Sequence, residues 1–199
     1  MIKEAIKKLV AGNDLTFDEA AQVMDEMFSG TATQSQMAAY LTALRIKGET
    51  IDEITASAQV MREKALHIKP NRDVLDIVGT GGDGTGTFNI STTAAFIIAA
   101  AGIPVAKHGN RSMSSKSGSA DCLEQLGINI NITPEKSEEV LNKAGICFMF
   151  AQGYHSSMKY VGPVRKEIGI RNIFNVLGPL TNPAGADLQV TGCLLYTSD

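Results

Sequence analysis

Apolar residues Ile2, Ala5, Ile6, Leu9 and Val10 fall on one helical face, and Gly12-Asn13 closes that run. Three Thr-x-x-Glu/Gln boxes follow: Thr16 with Glu19, Thr33 with Gln36, and Thr50 with Glu53. Each precedes a new apolar stripe, the first through Phe17, Ala20, Ala21, Met24 and Met27. The second runs through Met37, Tyr40, Leu41 and Leu44, and the third through Ile51, Ile54, Ala58 and Met61. The pattern predicts four short amphipathic helices over residues 1 to about 66. Their period varies, which excludes a helical repeat array. Four helices of this size form a thin bundle and leave apolar surface for a second subunit.

From Val74 the pattern changes. Residues 74–78 form a short, mostly apolar strand, followed by a glycine-rich loop and a buried helix over 94–101. Strands over 103–106 and 146–150, a helix over 119–126 and a further strand over 128–132 complete the alternation. Thr133-Pro134 is an N-cap with proline at the first helical position, opening a helix that runs to Gly145. Strands and helices alternating at this spacing imply a parallel sheet with right-handed crossovers. Pro70-Asn71 breaks the helical period, so the expected division is a helical domain over 1–68 and an α/β domain over 69–199.

Composition narrows the function classes. The 199 residues carry 18 Lys+Arg against 21 Asp+Glu, a net charge of −3, which argues against a dedicated nucleic-acid binder. The longest apolar run, 94–103, is about half of the ~20 residues a membrane span needs. The N-terminus has no signal-peptide core. Cys122, Cys147 and Cys193 form no CxxC pair and suit core packing in a reducing cytoplasm.

The candidate chemistry sits in two loops that follow strands. The first, GTGGDGTGT at 79–87, runs through Phe88 and Asn89 into Ser91, Thr92 and a helix. Glycines let backbone N–H groups approach a ligand, and a helix N-terminus favours anions, so the loop reads as a phosphate cradle. The other reading is a glycine-rich turn with Ser/Thr capping. Gly79, Gly81 and Gly84 match GxGxxG, but the acidic residue of a dinucleotide site is replaced by Lys107 and His108. Asp83 would repel a pyrophosphate unless a metal intervened. The Walker pattern GxxxxGK[ST] is absent. The second loop spans 107–119. Lys107, Arg111 and Lys116 supply charge, Ser112, Ser114, Ser115, Ser117 and Ser119 hydroxyls, and Gly109 and Gly118 backbone access. It reads as a cradle for a multiply charged anion, against the alternative of a solvated Ser/Lys loop.

GTGGDGTGTFNIST at 79–92, KHGNRSMSSKSGSAD at 107–121 and VRKEIGIRNIFNVLGPLTNP at 164–183 together resemble the anthranilate phosphoribosyltransferase family. The resemblance runs from Met1 to about Gly192, and it implies a nucleoside phosphorylase/phosphoribosyltransferase-like fold. That fold has a small N-terminal helical domain and a larger parallel-sheet α/β domain. It further implies transfer of phosphoribose from 5-phosphoribosyl 1-diphosphate to the amino group of anthranilate, with Mg²⁺, in tryptophan biosynthesis. A cytoplasmic homodimer joined through the N-terminal helices is implied too, with no nucleic-acid or membrane partner.

Carried over by motif, Gly79, Gly82, Asp83, Thr87, Asn89, Ile90, Ser91 and Thr92 are expected to hold the phosphoribosyl diphosphate. Lys107, His108, Gly109, Asn110, Arg111, Ser112, Met113, Ser114, Ser115 and Ser119 complete that site. Ser91 is the expected metal ligand, and Gly79, Asn110 and Arg165 the expected anthranilate contacts. A guanidinium is the natural bidentate partner of a carboxylate, which singles out Arg165 over Lys159, Lys166 and Arg171. No catalytic acid or base is assigned; His108 and His155 are either pocket-lining or structural, and His67 suits a helix C-terminus. Two departures stand out. Gln152 replaces a proline of many members, and the segment 193–199 leaves the family pattern. The family's acidic Asp-Glu pair, which holds Mg²⁺, is expected beyond residue 199, so the chain reads as truncated at the C-terminus and impaired as an enzyme. Two alternatives are a non-catalytic nucleic-acid-binding relative of the same fold and a nucleoside phosphorylase.

Overall fold

The computed structural model describes residues 1–79, 88–112 and 117–192. The chain divides into two units, Met1–Ala65 with His155–Thr181, and Leu66–Tyr154 with Asn182–Asp199.

The first unit opens with α1 (Ile2–Val10), α2 (Phe17–Phe28), α3 (Gln34–Lys47) and α4 (Ile51–Glu63). All three boxes form: Thr16, Thr33 and Thr50 accept from the backbone of Glu19, Gln36 and Glu53, whose side chains return to the cap N–H. Glu53 does more than cap. It is wholly buried, and its carboxylate also accepts the Leu15 N–H at 2.9 Å and the Lys47 ammonium at 3.0 Å. The same unit holds α9 (Met158–Ile168) and α10 (Phe174–Leu177). Val161, Val164, Ile173, Phe174 and Leu177 share one buried core with Val23, Met27, Tyr40 and Leu44. The Phe28 and Phe174 rings lie 6.0 Å apart, and Gly30, at φ +75°, backs directly onto the Tyr160 ring. Residues 155–181 thus spend an apolar face on these helices within the first unit.

The second unit carries β1 (Leu75–Gly79), α5 (Ile90–Ala100), β2 (Val105–Gly109), α6 (Ser119–Gln125), α7 (Pro134–Ala144), β3 (Ile146–Phe150), α8 (Ala151–Tyr154) and β4 (Leu188–Gly192). The strands form one parallel sheet in the order β3-β2-β1-β4. Its core joins Val74, Ala106, Leu141, Cys147, Met149 and Tyr154, with Ile77, Ala95 and Val105 clustering under α5.

Three local expectations change. Residues 128–132 form no strand: Ile130 is buried beside Leu123 and Phe150, but among the described residues no strand pairs with the segment. Helix α5 starts at Ile90, and only one of its faces is covered. Phe96 is 40% and Ile97 67% exposed, so the apolar stretch expected as a buried helix is not buried all round in this chain. His67 lies past the end of α4, with its ring Nδ1 3.3 Å from the Pro183 carbonyl, and so does not serve a helix C-terminus. No helix among the described residues is long and apolar enough to cross a membrane.

Candidate functional site

The two anion loops leave the carboxyl ends of β1 and β2, neighbours in the sheet. The described flanks of the loops touch. Asn89, the residue before α5, makes no side-chain bond to its own helix; its Nδ2 donates to the Ser117 carbonyl at 3.2 Å. Lys107, only 4% exposed, donates from Nζ to the Ile77 carbonyl at 2.6 Å and to the Ser91 hydroxyl at 3.2 Å. Burial pulls the Lys107 ammonium down to about 8, opposed by the nearby Asp76 carboxylate. The positive end of α5, the ammonium and the hydroxyls of Ser91 and Thr92 thus converge where the first loop joins its helix. Thr92 Oγ1 is buried and has no hydrogen-bond partner among the described residues. A satisfied structural threonine would have one, so this hydroxyl fits a ligand-facing role.

The second loop is pinned at both ends by one carboxylate. Asp121 Oδ2 accepts the Ser112 N–H at 3.0 Å and the Gly118 N–H at 2.8 Å, and these bonds hold Asp121 below the usual carboxylate range. A side chain at Gly118 would collide with the Arg111–Ser112 backbone, so glycine is required there. Asn110 turns its side-chain oxygen back to the Arg111 N–H at 2.8 Å, and Ser119 donates its hydroxyl to the Asn110 carbonyl at 3.2 Å. Gly109 packs against Ser119 and the Phe148 ring, and Gly79 ends β1 opposite Gly192. Arg111 does not stand open to an anion. Its guanidinium pairs with Asp121 at 3.1 Å and with Glu124, and stacks over Phe150 at 5.5 Å. His108 is buried, with its backbone N–H on Asp76. Gly82, Asp83, Thr87, Met113, Ser114 and Ser115, expected in the same site, lie outside the described residues.

Arg165 sits on α9 in the first unit. Its guanidinium lies 5.2 Å over the Phe174 ring, and its buried Nε has no hydrogen-bond partner among the described residues. Burial lowers its affinity for a proton without any acidic neighbour to offset it. A guanidinium that rests on a ring, with an Nε unpartnered among the described residues, suits an incoming carboxylate. Lys159 is occupied over its own neighbour Tyr160, at 4.9 Å. His155 is buried in the same unit.

Among the described residues no three His, Cys, Asp or Glu side chains gather for a metal. Ser91 offers one hard oxygen, already bonded by the Lys107 ammonium. Mg²⁺ prefers to keep several waters and to be carried by carboxylates and substrate phosphates. Ser91 therefore fits as one ligand of an ion brought in on phosphate, not as a site for a free ion. Two residues that hold the site together, Asp76 and Asp121, carried no distinguishing signal in the sequence. Asp76 stands inside an apolar strand, and Asp121 at the third position of α6 is the only hint of a cap.

Comparison with known proteins matches residues 3–65 to the helical bundle domain of the glycosyl transferase family and residues 71–197 to its a/b domain. The chain is 60% identical over 192 residues to an anthranilate phosphoribosyltransferase of Ruminiclostridium cellulolyticum, covering 96% of this chain and 56% of the relative. A crystal structure of the Thermus thermophilus anthranilate phosphoribosyltransferase superposes with a TM-score of 0.88 at 49% identity, over 94% of this chain and 57% of that one. The Saccharomyces cerevisiae enzyme in complex with PRPP and Mg gives a TM-score of 0.88 at 27% identity, over 96% and 58%. The chain thus spans a little over half the length of the relatives it matches. With both domains matched along its length, the chain belongs to the glycosyl transferase family, and its sequence is similar to the anthranilate phosphoribosyltransferases within it.

Proposed function

We propose that the protein bearing this chain transfers the phosphoribosyl group of 5-phosphoribosyl 1-diphosphate to the amino group of anthranilate, releasing diphosphate. The observation that carries this reading is the meeting of the two loops: Lys107 on Ser91 and Asn89 on Ser117, at the carboxyl ends of adjacent parallel strands. The names of the relatives support the chemistry, and the PRPP and Mg bound in the Saccharomyces cerevisiae structure support the ligand class.

The bond between the anomeric carbon and the diphosphate oxygen breaks, and a carbon–nitrogen bond to the amine forms. Positive charge develops on the ribose and negative charge on the leaving diphosphate. Lys107, the Ser91 and Thr92 hydroxyls and the first-turn amides of α5 stabilise the leaving group in a site that holds them in place beforehand. Mg²⁺, held by the substrate phosphates with Ser91 as one ligand, would supply further charge neutralisation. The aromatic amine is nucleophilic without a strong base, so the residues act by positioning and electrostatics. The proton the amine gives up passes to solvent water as the new bond forms. Arg165 takes the anthranilate carboxylate, and Asn110 and Gly79 complete the acceptor contacts. Arg111, paired with Asp121 and Glu124, serves by shaping its loop. A homodimer through the N-terminal helices and a cytoplasmic setting complete the proposal. No observation favours the nucleic-acid-binding or phosphorylase alternatives. Titration calorimetry with 5-phosphoribosyl 1-diphosphate and Mg²⁺ tests the reading; a chain that binds neither this compound nor diphosphate contradicts it.

A further inference from the structure

The strands that launch the two loops are cross-linked by side chains near their carboxyl ends. β2 and β3 pair over all five residues, as far as Gly109 opposite Phe150, and β1 and β4 likewise as far as Gly79 opposite Gly192. β1 and β2 pair at Leu75 opposite Val105, where Leu75 N–H donates to Pro104 at 2.8 Å. Beyond that pair, two side chains bridge the strands. Asp76 Oδ1 accepts the His108 N–H at 3.3 Å, and Lys107 Nζ donates to the Ile77 carbonyl at 2.6 Å. In that register Lys107 shares the face of Ile77, while Asp76 projects from the opposite face. The sheet is thus laced from both sides where the loops depart.

Asp76 is the better anchored of the two. It is wholly buried, its Oδ2 accepts from Gln189 of β4 at 3.3 Å, and the Asn182 side chain, which bonds the Ala106 carbonyl at 2.9 Å, favours its charged form. A buried carboxylate is costly unless such donors surround it. Here they come from β2 and from β4. A sheet that needed only cohesion at this position would take an apolar residue, as Leu75 and Ile77 do on either side.

We propose that Asp76 is a positioning residue: by holding the His108 backbone it fixes the second anion loop relative to the first, and thereby sets the affinity for the diphosphate group. The ligand in this statement rests on the proposed function; the positioning does not. Asp76 touches no reacting atom and acts through the loop.

The test compares the full chain with Asp76→Val, which suits a buried strand but offers no acceptor, and with Asp76→Asn, which keeps an oxygen for the His108 N–H. Amide hydrogen exchange and calorimetry with inorganic diphosphate are measured on each. In Asp76→Val, exchange at His108 and Gly109 is expected to rise at least about tenfold while β3 stays protected. Diphosphate affinity is expected to fall at least about tenfold, and Asp76→Asn to recover both to within about threefold. If Asp76→Val does not fold, Asp76→Ser, too short to reach the His108 N–H, takes its place. Unchanged exchange at His108, equal acceleration across β3, or full affinity in the variant without an acceptor overturns the proposal. A parent chain that binds no diphosphate overturns the functional reading instead, and the exchange measurement still decides the positioning.

Discussion

Arg165 and Cys147 show how burial gives two titratable side chains opposite fates. The Arg165 guanidinium keeps its charge, rests on Phe174 and has an unpaired Nε among the described residues. Losing its contact with a desolvated carboxylate should cost about 2–5 kcal/mol. In a chain of the relatives' full length, Arg165→Ala is therefore expected to raise the KM for anthranilate at least about thirtyfold, with little change in the KM for phosphoribosyl diphosphate. Equal effects on both would remove Arg165 from the acceptor site. Cys147, by contrast, is buried in the core, and its thiol is pushed up to about 12. Because the thiolate is the nucleophile, a raised pKa keeps it inert at neutral pH. Peptide mapping after iodoacetamide treatment at pH 8 should show Cys147 unmodified in the native chain and modified after denaturation. At this scale the candidate residue types could be read from the sequence, because Lys107, Ser91 and Asn89 carry their chemistry openly, and the structure brings Lys107 onto Ser91. The states of Arg111 and Asp76 could not. Whether a charge faces a ligand or its own helix depends on Asp121 and Glu124, one helix turn apart and folded back onto the loop.

Elements were predictable where the signal was local. The three capping boxes bind partners three residues away, and each formed as its sequence implied. Residues 128–132 alternate like a strand but have no pairing partner, which no local pattern can supply. The placement of 155–181 with the helices likewise depends on which core takes Val161, Val164 and Phe174. Glu53 joins the local and long-range levels, since a cap residue here also holds Leu15 and the 5%-exposed Lys47. Removing one partner of a buried pair costs about 3–5 kcal/mol; Asp14 at 2.7 Å retains part of the Lys47 interaction, so Glu53→Ala should sit near the lower end. Thermal unfolding should shift down by about 6–12 °C for a chain of this size. A shift under about 2 °C would show that the cap alone matters.

At the scale of the whole molecule, the sheet ends in β4, whose five residues are all exposed, with Leu188 at 57% and Val190 at 50%. The relatives are nearly twice as long. On the proposed function the family resemblance implies an acidic Mg²⁺ pair outside these 199 residues, and among the described residues no three His, Cys, Asp or Glu side chains gather for a metal. Assayed with saturating substrates and Mg²⁺, the chain alone is expected to turn over at least about a hundredfold more slowly than a version of the relatives' length, the scale of losing one charge-stabilising element. Comparable turnover would make that pair dispensable. On the proposed function diphosphate recognition draws on the two loops, so a binding measurement tests that proposal apart from turnover. The decisive measurement is calorimetric binding of 5-phosphoribosyl 1-diphosphate to the chain and to its Lys107→Met variant. If the loops at the ends of β1 and β2 form the anion site, the chain binds and the variant binds at least about tenfold more weakly, a loss of about 1.4 kcal/mol. Equal affinity in both, or no binding by the parent chain, would contradict it.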